Sequence, residues 1–139
     1  MEAPLESVVT GQALEVLQGS ETILVVDDEP EILAVISHSL GTMGYTVLTA
    51  GSSSEALLLV EEGGHKIDLL LTDVVMPGMP GHTLAARAQA ADPRTRVLFM
   101  SGYTDSMLEE YGVFRTHANF ISKPLSPGEL AVKIRKMLA

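Results

Sequence analysis

The 139-residue sequence predicts one α/β domain, built as a doubly wound, five-stranded parallel sheet with helices on both faces. Short, nearly continuous aliphatic runs alternate along the chain with longer amphipathic stretches. Hydrophobic residues make up 46% of the chain but aromatic residues only 4%, so aliphatic side chains must fill the core. Such a core is typical of parallel strands that are buried on both faces. The connections between the aliphatic runs are too long for hairpins and suit right-handed crossovers.

Residues 1–20 differ in composition from the rest of the chain. They contain one proline, two glycines, three acidic residues and a single short apolar cluster. We interpret them as a linker or N-terminal extension that forms a turn or two of helix at most. The domain itself is predicted to cover residues 21–139.

Five strands are predicted from aliphatic runs that end in polar residues or glycine. They cover residues 23–26, 46–49, 68–72, 96–100 and 119–121. The second run ends in Thr49, Ala50 and Gly51, which offer no ionisable group. This places the second strand at an outer edge and predicts the order 2-1-3-4-5, with the order reversing between strands one and three.

The first two helices have clear start signals. The first begins at Pro30, a residue favoured in the first turn, and its apolar positions form one stripe: Ile32, Ile36, Leu40 and Met43. The second begins at residues 52–55, where Ser-Ser-Ser-Glu has the form of a capping box. Each of these helices therefore follows a predicted strand closely.

Three further helices complete the alternation. Residues 83–91 are predicted as the third helix, which an Asp-Pro pair ends. A weaker fourth helix is expected over residues 104–111, before a glycine. The fifth begins at a capping box over residues 126–129, and its apolar residues have helical spacing: Leu130, Ile134 and Leu138.

The charge distribution argues against a direct nucleic-acid partner. The formal net charge is −9, and eleven acidic residues but no basic ones precede Lys66. From Lys66 onward there are nine basic and seven acidic residues, so no strongly basic stripe forms. Cysteine is absent, which excludes disulfides and thiolate chemistry. Because no apolar run is long enough to span a membrane and no signal peptide is evident, we expect a cytoplasmic domain without membrane contact.

Ionisable or hydroxyl side chains follow four of the five predicted strands. Asp27 and Asp28 follow strand one, Asp73 follows strand three, Ser101 follows strand four and Lys123 follows strand five. Because the carboxyl ends of parallel strands meet at one rim of the sheet, these groups are expected to lie together. Carboxylate oxygens suit Mg²⁺, and a carboxylate can also attack phosphorus. A lysine and a hydroxyl would then neutralise and hydrogen-bond the transferred oxygens.

With these residues in place, the chain resembles the receiver domains of two-component response regulators over roughly residues 21–139. The motifs that carry the resemblance are ILVVDDE at residues 23–29, DVVMPGMPG at 73–81, SGY at 101–103 and FISKPL at 120–125. The resemblance implies a flavodoxin-like receiver fold with five helices. It also implies a phosphoacceptor module and no enzyme in the isolated domain.

The resemblance assigns a role to most residues of the rim. Asp73 would be the phosphoacceptor, attacking the phosphohistidine of a histidine kinase or a histidine phosphotransfer domain. Mg²⁺ or Mn²⁺ would bind to Asp28, Asp73 and the main-chain carbonyl of Val75, with Asp27 acting through water. Lys123 would pair with the phosphoryl oxygens.

The same resemblance implies a conformational switch. Ser101 would move to the phosphoryl group and draw in the loop that follows it. Phe120, at the position of the family's switch aromatic, would rotate into the space left behind. The face formed by the fourth helix, the fifth strand and the fifth helix would then report the change. Plain core packing is the other interpretation of Phe120, and the sequence leaves both open.

The surrounding sequence also resembles one subgroup of receivers. Residues 10–22 and the segment FMSGYT at 99–104 look most like the C-terminal receiver of a hybrid sensor histidine kinase, so the parent chain is expected to be a histidine kinase. The sequence stops at Ala139, directly after the fifth helix, and no output domain is expected beyond it. A free-standing single-domain response regulator is the alternative.

Three other functions have less support. An aspartate-dependent phosphohydrolase of the haloacid dehalogenase type needs an aspartate two residues after its nucleophile, but Glu29 follows Asp27 and Pro30 follows Asp28 at that distance. A flavodoxin-like electron carrier binds phosphate in a hydroxyl-rich loop after strand one, a loop that is acidic here. A degenerate receiver binds partners without phosphorylation and does not need all of these polar residues. Their presence here, at Asp27, Asp28, Asp73, Ser101 and Lys123, argues against that function.

Overall fold

The described part of the chain has the predicted sheet. A computed structural model describes residues 18–62, 64–102 and 119–139. Its strands are β1 (Thr22–Val26), β2 (Thr46–Ala50), β3 (Leu69–Asp73), β4 (Arg96–Ser101) and β5 (Asn119–Ser122). All pairings are parallel and the order is β2-β1-β3-β4-β5, which confirms the prediction. The helices within these ranges are α1 (Pro30–Gly41), α2 (Ser53–Glu61), α3 (Gly81–Ala91) and the C-terminal helix (Pro127–Leu138).

Two apolar layers cover the sheet, one on each face. Leu24 and Val26 of β1 point into one layer, whereas Ile23 and Val25 point into the other. The first layer includes residues of α2 and α3, and the second includes residues of α1 and the C-terminal helix. All five residues of β3 are buried, because this strand lies at the centre of the sheet between both layers.

Serine caps begin two of the helices, as the sequence predicts. The Ser52 hydroxyl accepts a hydrogen bond from the Glu55 N–H at 3.2 Å, and the Ser126 hydroxyl accepts one from the Glu129 N–H at 3.4 Å. The Glu55 carboxylate accepts its own hydrogen bond from the Gly51 N–H, one residue before the usual partner in a capping box. Both helices therefore begin where their start signals indicate.

The third helix begins earlier than the sequence predicts. α3 begins at Gly81 instead of residue 83, and the Gly81 N–H donates to the Val74 carbonyl at 2.8 Å. Pro80 precedes it in an extended conformation and serves as the N-cap without a side-chain hydrogen bond. The sequence pattern misses this start because glycine has a low helix propensity and proline offers no capping side chain.

Four strands continue one residue further at their carboxyl ends than their apolar runs suggest. The main-chain ladder extends past the last aliphatic side chain, so Asp73 pairs with Met100 and Ser101 pairs with Ser122. Two residues predicted to follow their strands, Asp73 and Ser101, are therefore held within the sheet itself. At the opposite end, β1 begins one residue earlier and β3 one residue later than predicted.

One predicted element falls outside these ranges. The fourth helix, expected over residues 104–111, lies outside the described residues, as does the loop directly after Gly102. Within the described ranges, no helix combines the length and the apolar character needed to cross a membrane.

A polar cluster joins the residue before β1 to the C-terminal helix. Arg135 donates to both oxygens of the Glu21 carboxylate, at 3.1 and 2.6 Å, and to the Tyr45 hydroxyl at 3.2 Å. It also donates to the Gln18 carbonyl at 3.3 Å. Residue 18 thus contacts the domain although it belongs to the segment interpreted as a linker. The division between linker and domain at residue 20 stays a prediction.

The Glu21–Arg135 pair predicts a pH-dependent contribution to stability. Hydrogen bonding to Arg135 holds the pKa of the Glu21 carboxyl below its usual value, so its stabilising effect is present at pH 7. That effect is lost as the pH falls below about 4.3, the ordinary pKa of a glutamate, toward the lower pKa of the folded state. Glu21→Gln should therefore lower the free energy of unfolding at pH 7 by about 0.5 kcal/mol, since the pair is partly exposed.

Urea unfolding followed by circular dichroism at pH 7 and at pH 3.5 measures this difference. The difference in unfolding free energy between the wild type and Glu21→Gln should be smaller at pH 3.5 than at pH 7. Glu62→Gln, a change at an exposed glutamate, is the matched control and should show no such narrowing. An equal difference at both pH values would contradict a stabilising role of the Glu21–Arg135 pair.

Candidate functional site

The parallel sheet brings the predicted polar residues to one rim. Asp27 follows β1, Asp73 and Ser101 end β3 and β4, and Lys123 follows β5. Carboxylate oxygens of Asp27, Asp28 and Asp73 all lie within 4.8 Å of one another. The order of the strands explains this proximity, because β1 and β3 are neighbours at the point where the strand order reverses.

Lys123 connects these carboxylates. Its Nζ lies 2.9 Å from Asp27 Oδ2 and 2.9 Å from Asp73 Oδ2, so one ammonium hydrogen-bonds to both. The Glu29 carboxylate lies further away, at 3.6 Å, and is mostly exposed, so this third contact contributes little. The Lys123 side chain is only 16% exposed, which strengthens its interaction with the two buried aspartates.

Burial and ion pairing have opposite effects on the pKa of Lys123, and also on the pKa of Asp73. Burial alone lowers the pKa of Lys123, but hydrogen bonds to Asp73 and Asp27 outweigh it and hold the pKa well above its ordinary value. The pKa of Asp73 is also raised, because burial outweighs the hydrogen bond from Lys123 and the nearby Asp27 charge adds to the effect. The ammonium is shared, so it compensates each carboxylate only in part.

The two neighbouring aspartates of the DDE motif have different environments. Asp27 is fully buried, and its oxygens accept hydrogen bonds from Lys123 and from the Glu29 N–H, the latter at 2.8 Å. Asp28 is exposed, and its carboxylate makes no hydrogen bond or ion pair within the described residues. The main chain of Val75 also acts on the Asp73 carboxyl and lowers its pKa slightly, as the smallest of the contributions to that pKa. Asp27, Asp28 and Asp73 thus form a carboxylate cluster that can hold a cation.

Ser101 ends β4 at the same rim, and Phe120 lies on the neighbouring strand β5, two residues before the residue that pairs with Ser101. Ser101 is buried, and its carbonyl accepts the Lys123 N–H at 2.9 Å. Phe120 is buried against Phe99, with ring centroids 5.3 Å apart and the rings inclined by 37°. Phe120 is therefore a core residue in this conformation, and a switching role for it stays a prediction.

The comparison with known proteins decides the family. The sequence profile of the response regulator receiver domain matches residues 23–135. The chain belongs to this family. As a receiver domain it is a component of two-component signalling, in which receivers act with histidine kinases or phosphotransfer partners and bind Mg²⁺ at an acidic pocket.

Several relatives match most of this receiver domain. It is 36% identical over 122 residues to the sensor kinase CckA of Brucella abortus, and the match covers 88% of this chain and 13% of that protein. It is 32% identical to the response regulator receiver protein CpdR of the same organism, over 84% of this chain and 95% of that protein. Most of the first matches are longer, and the chain spans 48% of the transcriptional regulatory protein AruR of Pseudomonas aeruginosa.

Solved structures give the same result. The receiver domain of the hybrid histidine kinase CckA has a TM-score of 0.72 and 36% identity, covering 85% of this chain and 99% of that one. A CheY-like receiver domain protein from Methanospirillum hungatei has a TM-score of 0.76 and 31% identity, covering 86% and 94%. These similarities agree with the strand order described above.

The structure also shows two residues near Asp73 that the sequence does not single out. The Thr72 hydroxyl donates to the main-chain carbonyl of Asp73 at 3.0 Å. Gly81 packs directly on the same carbonyl, because a Cβ at this position would contact the Asp73 oxygen and lie 2.9 Å from its carbon. Gly81 stands within a recognisable motif, but only the fold shows that it approaches residue 73 so closely.

Adding a methyl group at Gly81 should destabilise the receiver domain. The new Cβ of Gly81→Ala would force apart the end of β3 and the start of α3, which should cost about 2 kcal/mol of unfolding free energy. Gly41→Ala is the matched control, because a Cβ there meets nothing within 4 Å and alanine favours the helix. Urea unfolding of both variants tests this, and equal stability of the two would contradict the close contact.

Removing the Asp73 charge should stabilise the metal-free domain. Asp73→Asn leaves Lys123 paired with Asp27 and removes a carboxylate that burial makes costly to ionise. The free energy of unfolding in EDTA at pH 7 should therefore rise by about 1 kcal/mol. Asp92→Asn, at an aspartate at the end of α3 whose carboxylate accepts hydrogen bonds from Arg94, should give no such gain. A lower stability of Asp73→Asn would contradict this account of the electrostatics.

Proposed function

We propose that this receiver domain accepts a phosphoryl group on Asp73 in a two-component phosphorelay, with a divalent cation assisting the transfer. The single observation that carries the proposal is the position of the Asp73 carboxylate. It lies 2.9 Å from Lys123 Nζ and within 4.8 Å of carboxylate oxygens of Asp27 and Asp28. A nucleophile, its counter-ion and cation-binding carboxylates thus share one pocket at the rim.

The proposed transfer is a substitution at phosphorus. A carboxylate oxygen of Asp73 attacks the phosphorus of a donor phosphohistidine, and the new O–P bond forms as the P–N bond breaks. The bonding pair leaves with the imidazole nitrogen, so the product is an acyl phosphate on Asp73 with no oxidation or reduction. The Lys123 ammonium, already beside Asp73, stabilises the negative charge on the phosphoryl oxygens.

The donor set of the rim fits Mg²⁺ or Mn²⁺, which both prefer oxygen ligands. The carboxylates of Asp28 and Asp73 and the main-chain carbonyl of Val75 would hold the ion. Asp27 would act through water, because both of its oxygens already accept hydrogen bonds from the protein. When bound, the ion would neutralise charge on the transferring oxygens.

Ser101 and Phe120 are proposed to pass the change on to the surface. A phosphoryl group adds negative charge and three acceptor oxygens beside the buried Ser101 hydroxyl. Movement of Ser101 toward it would open space for Phe120 to turn away from Phe99, with which it now packs. The face formed by the predicted fourth helix, β5 and the C-terminal helix would report this rearrangement.

The proposed setting is the receiver of a cytoplasmic hybrid histidine kinase that takes its phosphoryl group from a histidine kinase or a histidine phosphotransfer domain. The similarity to the sensor kinase CckA and to the receiver domain of the hybrid histidine kinase CckA supports this setting. A free-standing regulator is the alternative, supported by a match that covers 95% of CpdR. In either setting the isolated domain accepts one phosphoryl group and does not turn over a substrate.

Incubation with acetyl phosphate and Mg²⁺ tests the acceptor role. The intact mass of the wild-type protein should increase by one phosphoryl group, and EDTA should prevent the increase. Asp73→Asn should show no increase, because the amide is not a nucleophile toward phosphorus. Asp92→Asn is the matched control and should be labelled like the wild type, since Asp92 lies at the end of α3 and away from the rim.

Three outcomes would count against the proposal, two from the labelling experiment and one from a hydrolysis assay. One is an unchanged wild-type mass beside a second receiver domain that the same reagent labels. Another is a mass increase that persists in Asp73→Asn, which would place the phosphoryl group elsewhere. Sustained Mg²⁺-dependent hydrolysis of a phosphate ester would favour a phosphohydrolase instead.

A further inference from the structure

We infer that the Thr72 hydroxyl is a positioning group for phosphoryl transfer, which fixes the peptide that carries Asp73. The inference rests on the proposed acceptor role of Asp73. It concerns a side chain that touches neither the donor nor the cation-binding carboxylates, and that acts through the main chain of its neighbour.

The side chain of Thr72 is polar, but its surroundings in the core are apolar. It is fully buried, and it follows Leu70 on the face of β3 that packs against α2 and α3. Its strand neighbours at the same level are Val26 on β1 and Phe99 on β4. Valine has the same shape and would suit this position at no desolvation cost, whereas a buried hydroxyl is costly unless it is hydrogen-bonded. The hydroxyl therefore needs a partner, and the Asp73 carbonyl at 3.0 Å is that partner.

The Asp73 carbonyl is held from a second side by Gly81. The backbone of α3 approaches so closely that no Cβ fits between the two residues. On the far side of the same peptide, the Val74 N–H donates to the Met100 carbonyl at 3.2 Å. Both ends of the peptide between residues 73 and 74 are thus fixed, its oxygen by Thr72 and Gly81 and its N–H by β4.

This peptide belongs to the main chain that carries the Asp73 carboxylate, so its orientation affects where that carboxylate points. Rotation about the Cα–C bond of Asp73 would swing its carbonyl away from the Thr72 hydroxyl and shift the residues that follow, starting with Val74, whose N–H is bonded to β4. Restricting that rotation keeps the carboxylate at 2.9 Å from Lys123 and aligned for attack on phosphorus. The hydroxyl acts on the orientation of the nucleophile and leaves the charges of the site unchanged.

Two pairs of variants isolate the hydroxyl. Thr72 and Thr72→Val differ by a hydroxyl against a methyl, and Thr72→Ser and Thr72→Ala differ by the hydroxyl alone. The rate of phosphorylation by acetyl phosphate with saturating Mg²⁺ is measured by intact mass across a range of acetyl phosphate concentrations. Urea unfolding of each variant gives its stability in parallel.

The maximal rate should fall about fivefold in Thr72→Val and in Thr72→Ala relative to their hydroxyl-bearing partners, because a misaligned nucleophile reacts more slowly. The acetyl phosphate concentration at half-maximal rate should stay constant. Thr72→Val should stay close to the wild type in stability, because the gain from burying a methyl group offsets the lost hydrogen bond to the Asp73 carbonyl, so that the loss of rate does not follow stability. Thr72→Ser should react near the wild-type rate although it is less well packed.

Equal maximal rates within both pairs would overturn the positioning role, and so would a rate that follows stability across the four proteins. If Thr72→Val does not fold, the Ser and Ala variants decide the question by themselves. A wild-type protein that is not labelled at all defeats the acceptor role of Asp73 and this inference with it. A labelled wild type with unaffected hydroxyl-free variants defeats only the inference.

Discussion

The Lys123 ammonium is the interaction on which the rim of this receiver domain depends. It donates to Asp27 and Asp73 at 2.9 Å each, and both carboxylates are buried or nearly so. Two buried carboxylates so close together would repel one another strongly without a shared cation. Lys123 follows β5, which β4 separates from β3, so its side chain must reach across the end of β4. The sheet order and the length of a lysine together make the pairing possible.

The surrounding structure holds the Asp73 carboxylate in its buried position. β3 is buried along its whole length, and its last residue is the aspartate at which the chemistry is proposed to occur. Hydrogen bonds of the main chain fix that end of the strand, since Asp73 is still within the β3–β4 ladder. The pKa of Asp73 is raised by burial despite its ion pair, so the metal-free site holds its charge under electrostatic strain. A divalent cation or a phosphoryl group changes the balance of charge at this one point.

Much of this arrangement can be predicted from the sequence because it depends on local patterns. The apolar runs locate the strands, the absence of an ionisable group after the second run indicates its edge position, and the serine caps locate the starts of two helices. The start of α3 at Gly81 and the hydrogen bond from Thr72 to the Asp73 carbonyl depend instead on how closely two backbone segments approach. The spacing of apolar residues in the sequence does not reveal how closely two such backbone segments approach. The roles of Ser101 and Phe120 depend on a second conformation, so one sequence and one structure leave them as proposals.

The cluster around Arg135 determines where a preceding segment joins the domain. Gln18 and Glu21 are both held by Arg135 at the end of the sheet where β1 begins, and Asp27 lies at the other end of that strand. Five residues of parallel strand span about 17 Å, so a domain tethered ahead of residue 18 is attached on the far side from the acceptor. A donor tethered there needs a linker that runs back along the full height of the sheet. In the proposed hybrid-kinase setting, a shorter tether would leave the histidine of one chain to serve the aspartate of another, so linker length would select between transfer within a chain and transfer between chains.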